Sequence, residues 1–135
     1  MIIMTVVDDH GGLCFNQRRQ SQDRKLRQRM LEIAGTKGIW MDAYSASMFT
    51  EAADRIHVDD DFLNQAGQGD FCFVEDKAVL PYADRIEKII LFRWNRAYPS
   101  DMYFDITLES PWRLQESHDF SGFSHDTITE EVYAK

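Results

Sequence analysis

The sequence predicts one α/β domain over residues 1–135, with a mostly parallel central sheet and an antiparallel hairpin near its C-terminal end. Three observations carry this reading. Strand-like apolar runs alternate with helix-like segments early in the chain, the pattern of a layered α/β fold. Ile89-Ile90-Leu91-Phe92 is apolar without a break, as expected of a strand buried on both faces. The end of the chain is strand-rich, which fits a hairpin.

Ile2 to Val7 is a buried-strand run ending at the turn-forming Asp8-Asp9-His10-Gly11-Gly12. Leu13 to Arg19 reads as a loop. Gln20 to Leu31 reads as a helix, ended by Gly35-Thr36-Lys37-Gly38. Ile39-Trp40-Met41 is a short strand, Ser45 to Ala53 is helical, and Arg55 to Val58 is extended. Asp59-Asp60-Asp61-Phe62-Leu63 starts a helix with Asp59 as its cap. A calcium loop needs spaced oxygen ligands and a turn glycine, which this triplet does not have. Phe71 to Val74 is a strand, and Pro81 opens a short helix. Ile86 to Trp94, Met102 to Leu108 and Thr127 to Tyr133 complete the sheet.

Composition bounds function. The chain is 44% hydrophobic and 13% aromatic, which suits a packed core rather than a disordered chain. No apolar run approaches the roughly 20 residues that span a bilayer. The opening Met1 to Val7 is too short and lacks the basic flank of a signal peptide. Cys14 and Cys72 are the only cysteines, too few for a disulfide scaffold, so a cytoplasmic protein with reduced thiols is expected. Cys14 is expected to be accessible. His10, His57, His118 and His125 have no metal-ligand spacing and read as surface or loop residues. The net charge of −8 argues against general nucleic-acid binding. The charge is uneven, however. Arg18, Arg19, Arg24, Lys25, Arg27 and Arg29 crowd one stretch opposed only by Asp23. That stretch reads either as a patch for nucleic acid or a protein partner, or as a solvated helix face paired with acidic neighbours; the second is favoured.

Asp23 is the leading site residue. At 3.6 residues per turn it shares a face with Leu26, Met30 and Ala34. A carboxylate aimed at the apolar side needs a cationic or hydrogen-bonding partner, from the protein or from a ligand. The plainer alternative is a negative charge that suits the first turn of a helix.

The order of these pieces resembles dihydrofolate reductase over most of the chain. Val6-Val7-Asp8-Asp9-His10-Gly11-Gly12-Leu13 resembles the family's first strand and the turn opening its mobile loop. Asp23 falls where the family keeps the carboxylate that holds the pterin ring. Gly38 to Ser45 is similar to the strand-to-helix phosphate segment. Val58 through Asp76 follows the helix, strand and cofactor-loop pattern. Lys88 through Trp112 and Phe123 to Tyr133 match the later strands. The resemblance implies a three-layer fold, shortened by about twenty residues on the adenosine-binding side between Phe49 and Asp54. It also implies a substrate pocket of Asp23, Met4, Val74 and Phe92.

The departures lie at the cofactor positions. The family's Met-Gly-Arg-x-Thr segment falls at Met41, Asp42, Ala43 and Ser45, so Gly has become Asp and the Arg is gone. The family's Gly-Gly pair falls at Glu75-Asp76. Two bulky anions facing a polyanionic cofactor repel and obstruct it. The family's carboxylate-supporting threonine falls at Phe92, so Asp23 needs another partner, and neighbouring Arg or Lys side chains are the expected ones. They would lower its pKa and make it a poor proton donor. The chain is also similar to small proteins loosely labelled ribonuclease Z. That enzyme's His-x-His-x-Asp-His metal motif is absent here.

Three functions follow as expectations. The first is a binding or regulatory domain that does not use NADPH in the standard way and holds a cationic or amidine-like heterocycle at Asp23. The second is an active NADPH-dependent pterin or folate reductase with an unusual cofactor site. The third is nucleic-acid or protein binding through Arg18–Arg29.

Overall fold

A computed structural model describes residues 1–135 as a mixed α/β fold. The main elements are β1 (Ile2–Val7), β2 (Gly12–Phe15), β3 (Arg18–Arg19), α1 (Arg24–Ala34), β4 (Ile39–Met41), α2 (Ala43–Ala46), β5 (Ile56–Val58) and α3 (Phe62–Gln65). They continue with β6 (Phe71–Val74), β7 (Lys88–Arg93), β8 (Met102–Tyr103), β9 (Arg113–Phe120) and β10 (Ile128–Ala134). Seven strands form one sheet in the order β5-β4-β6-β1-β7-β10-β9. The first five are parallel, and β10 runs antiparallel to both β7 and β9. The mostly parallel sheet and its late antiparallel hairpin therefore stand as expected.

Strand periodicity explains the core. Alternate residues of β1, β6 and β7 face opposite sides of the sheet. Ile3, Val7, Cys72, Val74, Ile89 and Leu91 join one buried cluster with Phe62 and Leu63 of α3. Met4, Phe73, Ile90 and Phe92 join a second with Leu26, Met30, Leu31 and Ala34 of α1. A sheet covered on both faces is why β7 reads as an unbroken apolar run. No helix is long and apolar enough to cross a membrane.

Several boundaries differ from expectation. The expected loop Leu13–Arg19 is a hairpin of β2 and β3, which joins β8 in a small second sheet. Its turn places Asn16 and Gln17 at φ 51° and 62°, a two-residue left-handed turn matching strand twist. Cys14 lies in β2 and is buried, not accessible. Helix α1 begins at Arg24 rather than Gln20, because Asp23 is its N-cap. The helical stretch expected over Ser45–Ala53 splits into α2 and a 3-10 segment, Thr50–Arg55. Asp59 bonds the Asp61 amide in a turn before α3. Only Met102–Tyr103 of the expected Met102–Leu108 strand is extended in a sheet. The partner of β10 is β9, whose residues are almost all exposed.

Candidate functional site

Parallel strands bring their C-terminal ends to one edge, the usual place for ligands in open α/β sheets. Here that edge carries Asp8 after β1, Asp42 after β4, Glu75 and Asp76 after β6, and Trp94 after β7. A cleft beside it is lined by Arg19, Ser21, Asp23, Phe49, Val74 and Trp94, among others. Its cavity volume is about 20 Å³, roughly the space one water needs. Of the expected substrate residues, Asp23 and Val74 line this cleft. Met4 and Phe92 are fully buried in the α1-side core, where Phe92 packs edge-on against Phe120.

Asp23 is 2% exposed, and its carboxylate is saturated. Oδ1 accepts from the amides of Lys25 at 2.9 Å, Leu26 at 3.2 Å and Phe123 at 3.0 Å. Oδ2 accepts from the Ser124 amide at 2.8 Å, the Ser124 hydroxyl at 3.2 Å and His125 Nδ1 at 3.1 Å. The first two bonds cap α1, as a carboxylate does at this position. The others clamp the β9–β10 loop onto the helix start. Burial opposes the charge, but the bonds from Phe123, Ser124, His125 and Leu26 outweigh it and hold the carboxyl well below its ordinary range. The partners expected from Arg or Lys are thus loop amides and a histidine. Gly122 makes the approach possible, since a Cβ there would stand 2.7 Å from Asp23 Oδ2.

His125 is buried, contrary to the surface position expected of it. Its ring stacks on Trp94 with centroids 4.2 Å apart. Because Nδ1 faces a carboxylate, the proton of the neutral ring sits there and Nε2 is an acceptor. Two hydroxyls reach Nε2, Ser21 Oγ and Tyr98 Oη, each at 3.1 Å. Asp8, fully buried, accepts from the amides of His10, Gly12 and Tyr98 and so fixes the segment carrying Tyr98. Neither Ser21 nor His125 stands out in the sequence. The only local sign is the Ser21-x-Asp23 spacing, and the histidine is over a hundred residues away.

The expected cofactor positions hold an internal polar network. Arg19 pairs with Glu75 through two bonds of 3.0 and 3.1 Å and lies 4.2 Å over the Tyr44 ring. Ser45 donates to Glu75 Oε1 at 2.7 Å. Asp42 caps α2 through the Ser45 amide and faces Lys77 at 3.6 Å. Burial, with Asp42 and Glu75 nearby, pushes the Asp76 carboxyl up, and Lys77 only partly offsets this.

Most of the basic stretch is also paired. Arg29 meets Glu130 and Glu32, Arg27 meets Glu51, and Arg24 stacks 4.0 Å over Phe123. Arg18 and Lys25 project into solvent. No protein-family model matches the chain, and no curated protein matches it either.

Proposed function

We propose that the chain is a divergent dihydrofolate-reductase-like domain that binds a small molecule in the cleft beside Asp23 and does not hold NADPH in the standard way. The observation carrying this reading is the network of Arg19, Ser45 and Glu75, where the resemblance would place the dinucleotide. With Asp42 and Asp76 beside it, this edge disfavours a polyphosphate by charge as well as by volume. The neighbouring cleft combines apolar walls with a few convergent polar groups, and because its enclosed volume is about one water's, the ligand seats at its mouth. Asp23 acts there as organiser. All its bonds are already made, so an amidine-like heterocycle would be recognised by acceptors at the rim such as Ser21, Gln22 and Glu75. A carboxyl held ionised by such bonds is also a poor proton donor, which weighs against pterin reduction.

Two titrations test the reading. NADPH fluorescence should show no saturable binding up to millimolar cofactor. A small-fragment screen followed by NMR should shift Trp94, Ser21 and Leu26 together. Micromolar NADPH binding, with dihydrofolate turnover that disappears in Asp23→Asn, would overturn it.

A further inference from the structure

We infer that Ser21 is a nucleophile, with His125 as its general base and Asp23 as the positioning carboxylate, and that the cleft takes a short-chain acyl ester. The three side chains stand in line: Ser21 Oγ is 3.1 Å from His125 Nε2, and His125 Nδ1 is 3.1 Å from Asp23 Oδ2. A nucleophile within hydrogen-bond reach of a base, itself oriented by a third group, is the geometry of nucleophilic catalysis. Their order along the chain is Ser, Asp, His. Chain order differs among unrelated triads, so the geometry carries the weight.

Placement separates the members by role. Asp23 and His125 are buried, while Ser21 is half-buried and lines the cleft. Leu26, Phe49, Phe73 and Trp94 supply apolar surface beside it. The enclosed volume holds about one water, so the ester carbonyl meets Ser21 at the cleft mouth, where only a short acyl group fits and the alcohol part lies along the polar rim of Arg19, Gln20 and Gln22. Stacking on Trp94 and the bond to Asp23 hold the imidazole in one plane, so Nε2 stays aimed at the hydroxyls.

The steps balance. Ser21 Oγ attacks the ester carbonyl carbon and forms a new C–O bond while its proton passes to Nε2. Nε2 has one lone pair, so while it takes the Ser21 proton the Tyr98 hydroxyl does not donate to it and is free to stabilise the developing oxyanion. The bond to the alcohol oxygen then breaks, and the Nε2 proton leaves with the alcohol. A water then attacks the acyl-serine, giving one proton to Nε2. The acyl–Oγ bond breaks, and Ser21 regains the proton as the carboxylic acid departs.

The probe is p-nitrophenyl acetate, with release of p-nitrophenol followed by absorbance and the acetylated peptide mapped by mass spectrometry. The acetyl group is expected on Ser21, cleaved by hydroxylamine as an ester is. Ser21→Ala should abolish that adduct with its thermal melt unchanged. His125→Asn should slow acylation a hundredfold or more. Tyr98→Phe should slow it about tenfold while the adduct stays on Ser21. The titratable groups contacting His125 are Asp23 and Tyr98. Asp23→Asn should slow acylation while leaving the adduct on Ser21, because the imidazole is no longer held by a carboxylate.

No adduct in the wild-type protein, or acetyl groups confined to Tyr98 and lysines, would overturn the inference whether or not the His125 variant folds. The inference rests on the cleft reading only for access to Ser21. Fragment binding without acylation defeats this inference alone, whereas loss of fragment binding with acylation intact defeats the other.

Discussion

At the scale of single residues, burial and pairing decide what each carboxylate does. Asp23 satisfies four backbone donors, two at the helix start and two in the β9–β10 loop, together with the Ser124 hydroxyl and a histidine. Asp23→Ala therefore removes a cap and leaves the Phe123 and Ser124 amides without acceptors. The expected loss is roughly 3 kcal/mol, the sum of a cap and of the stranded donors, of which His125 Nδ1 is the buried one. Urea denaturation measures it, and a loss under about 1 kcal/mol would mean that the loop finds other partners. Asp76 is the opposite case. Its carboxyl is pushed up by burial and by Asp42 and Glu75, so its charge is disfavoured in the folded state. Stability tied to that group is present below its unfolded pKa and lost as pH rises through its folded one. Asp76→Asn should then stabilise the protein at pH 7, by about 1 kcal/mol, and the gain should vanish below about pH 4. An amide at this position can also donate to Asp42. Thermal melts of both proteins at the two pH values decide it.

At the scale of elements, the sequence pattern and the structure agree where burial is two-sided or periodic. Strands β1, β6 and β7 and the apolar face of α1 are plain in the sequence because their residues must avoid water. Strand β9 is not, since an exposed edge strand of Arg113-Leu114-Gln115-Glu116-Ser117-His118-Asp119-Phe120 has no buried face to impose alternation. The β2–β3 hairpin is hidden for a related reason: Asn16 and Gln17 make its turn without the glycine that usually marks one. The candidate site was half visible. Asp23, Glu75 and Asp42 announce themselves as acids beside apolar runs, whereas His125 and Tyr98 arrive through long-range contacts that no local pattern encodes.

The hairpin's attachment is itself testable. Arg19 of β3 reaches Glu75 after β6, and Glu75 also accepts from Ser45 of α2. Glu75→Ala strands a largely covered guanidinium and a buried hydroxyl, and should cost about 3 kcal/mol. The β2–β3 amides should lose hydrogen-exchange protection before the central sheet does. Equal loss in both places would show that the hairpin is not separately anchored.

At the scale of the whole molecule, the same carboxylates set the response to acid. Burial works against charge at Asp8, but bonds from the Tyr98, Gly12 and His10 amides prevail and lower its pKa; Asp23 behaves likewise. Glu51 is lowered by hydrogen bonding, first to its own backbone amide and then to Arg27, and Glu87 by the N-terminal ammonium. A carboxylate with a lowered folded pKa contributes stability that is complete above its unfolded value and lost as pH falls through the folded one. Four such groups acting in one direction outweigh Asp76 acting in the other. Stability should therefore be level from neutral pH to about pH 4.5 and fall steeply below it. Among the four, Asp8 and Asp23 are the buried ones and both anchor the segments around His125, so acid should open that site first. The check is a series of melts from pH 7 to pH 2 on the wild-type protein and on Asp23→Asn. The variant should start lower at pH 7 and decline less, so that the two curves converge as Asp23 protonates. Parallel curves would mean that the Asp23 clamp contributes nothing through its charge and holds the β9–β10 loop by shape alone.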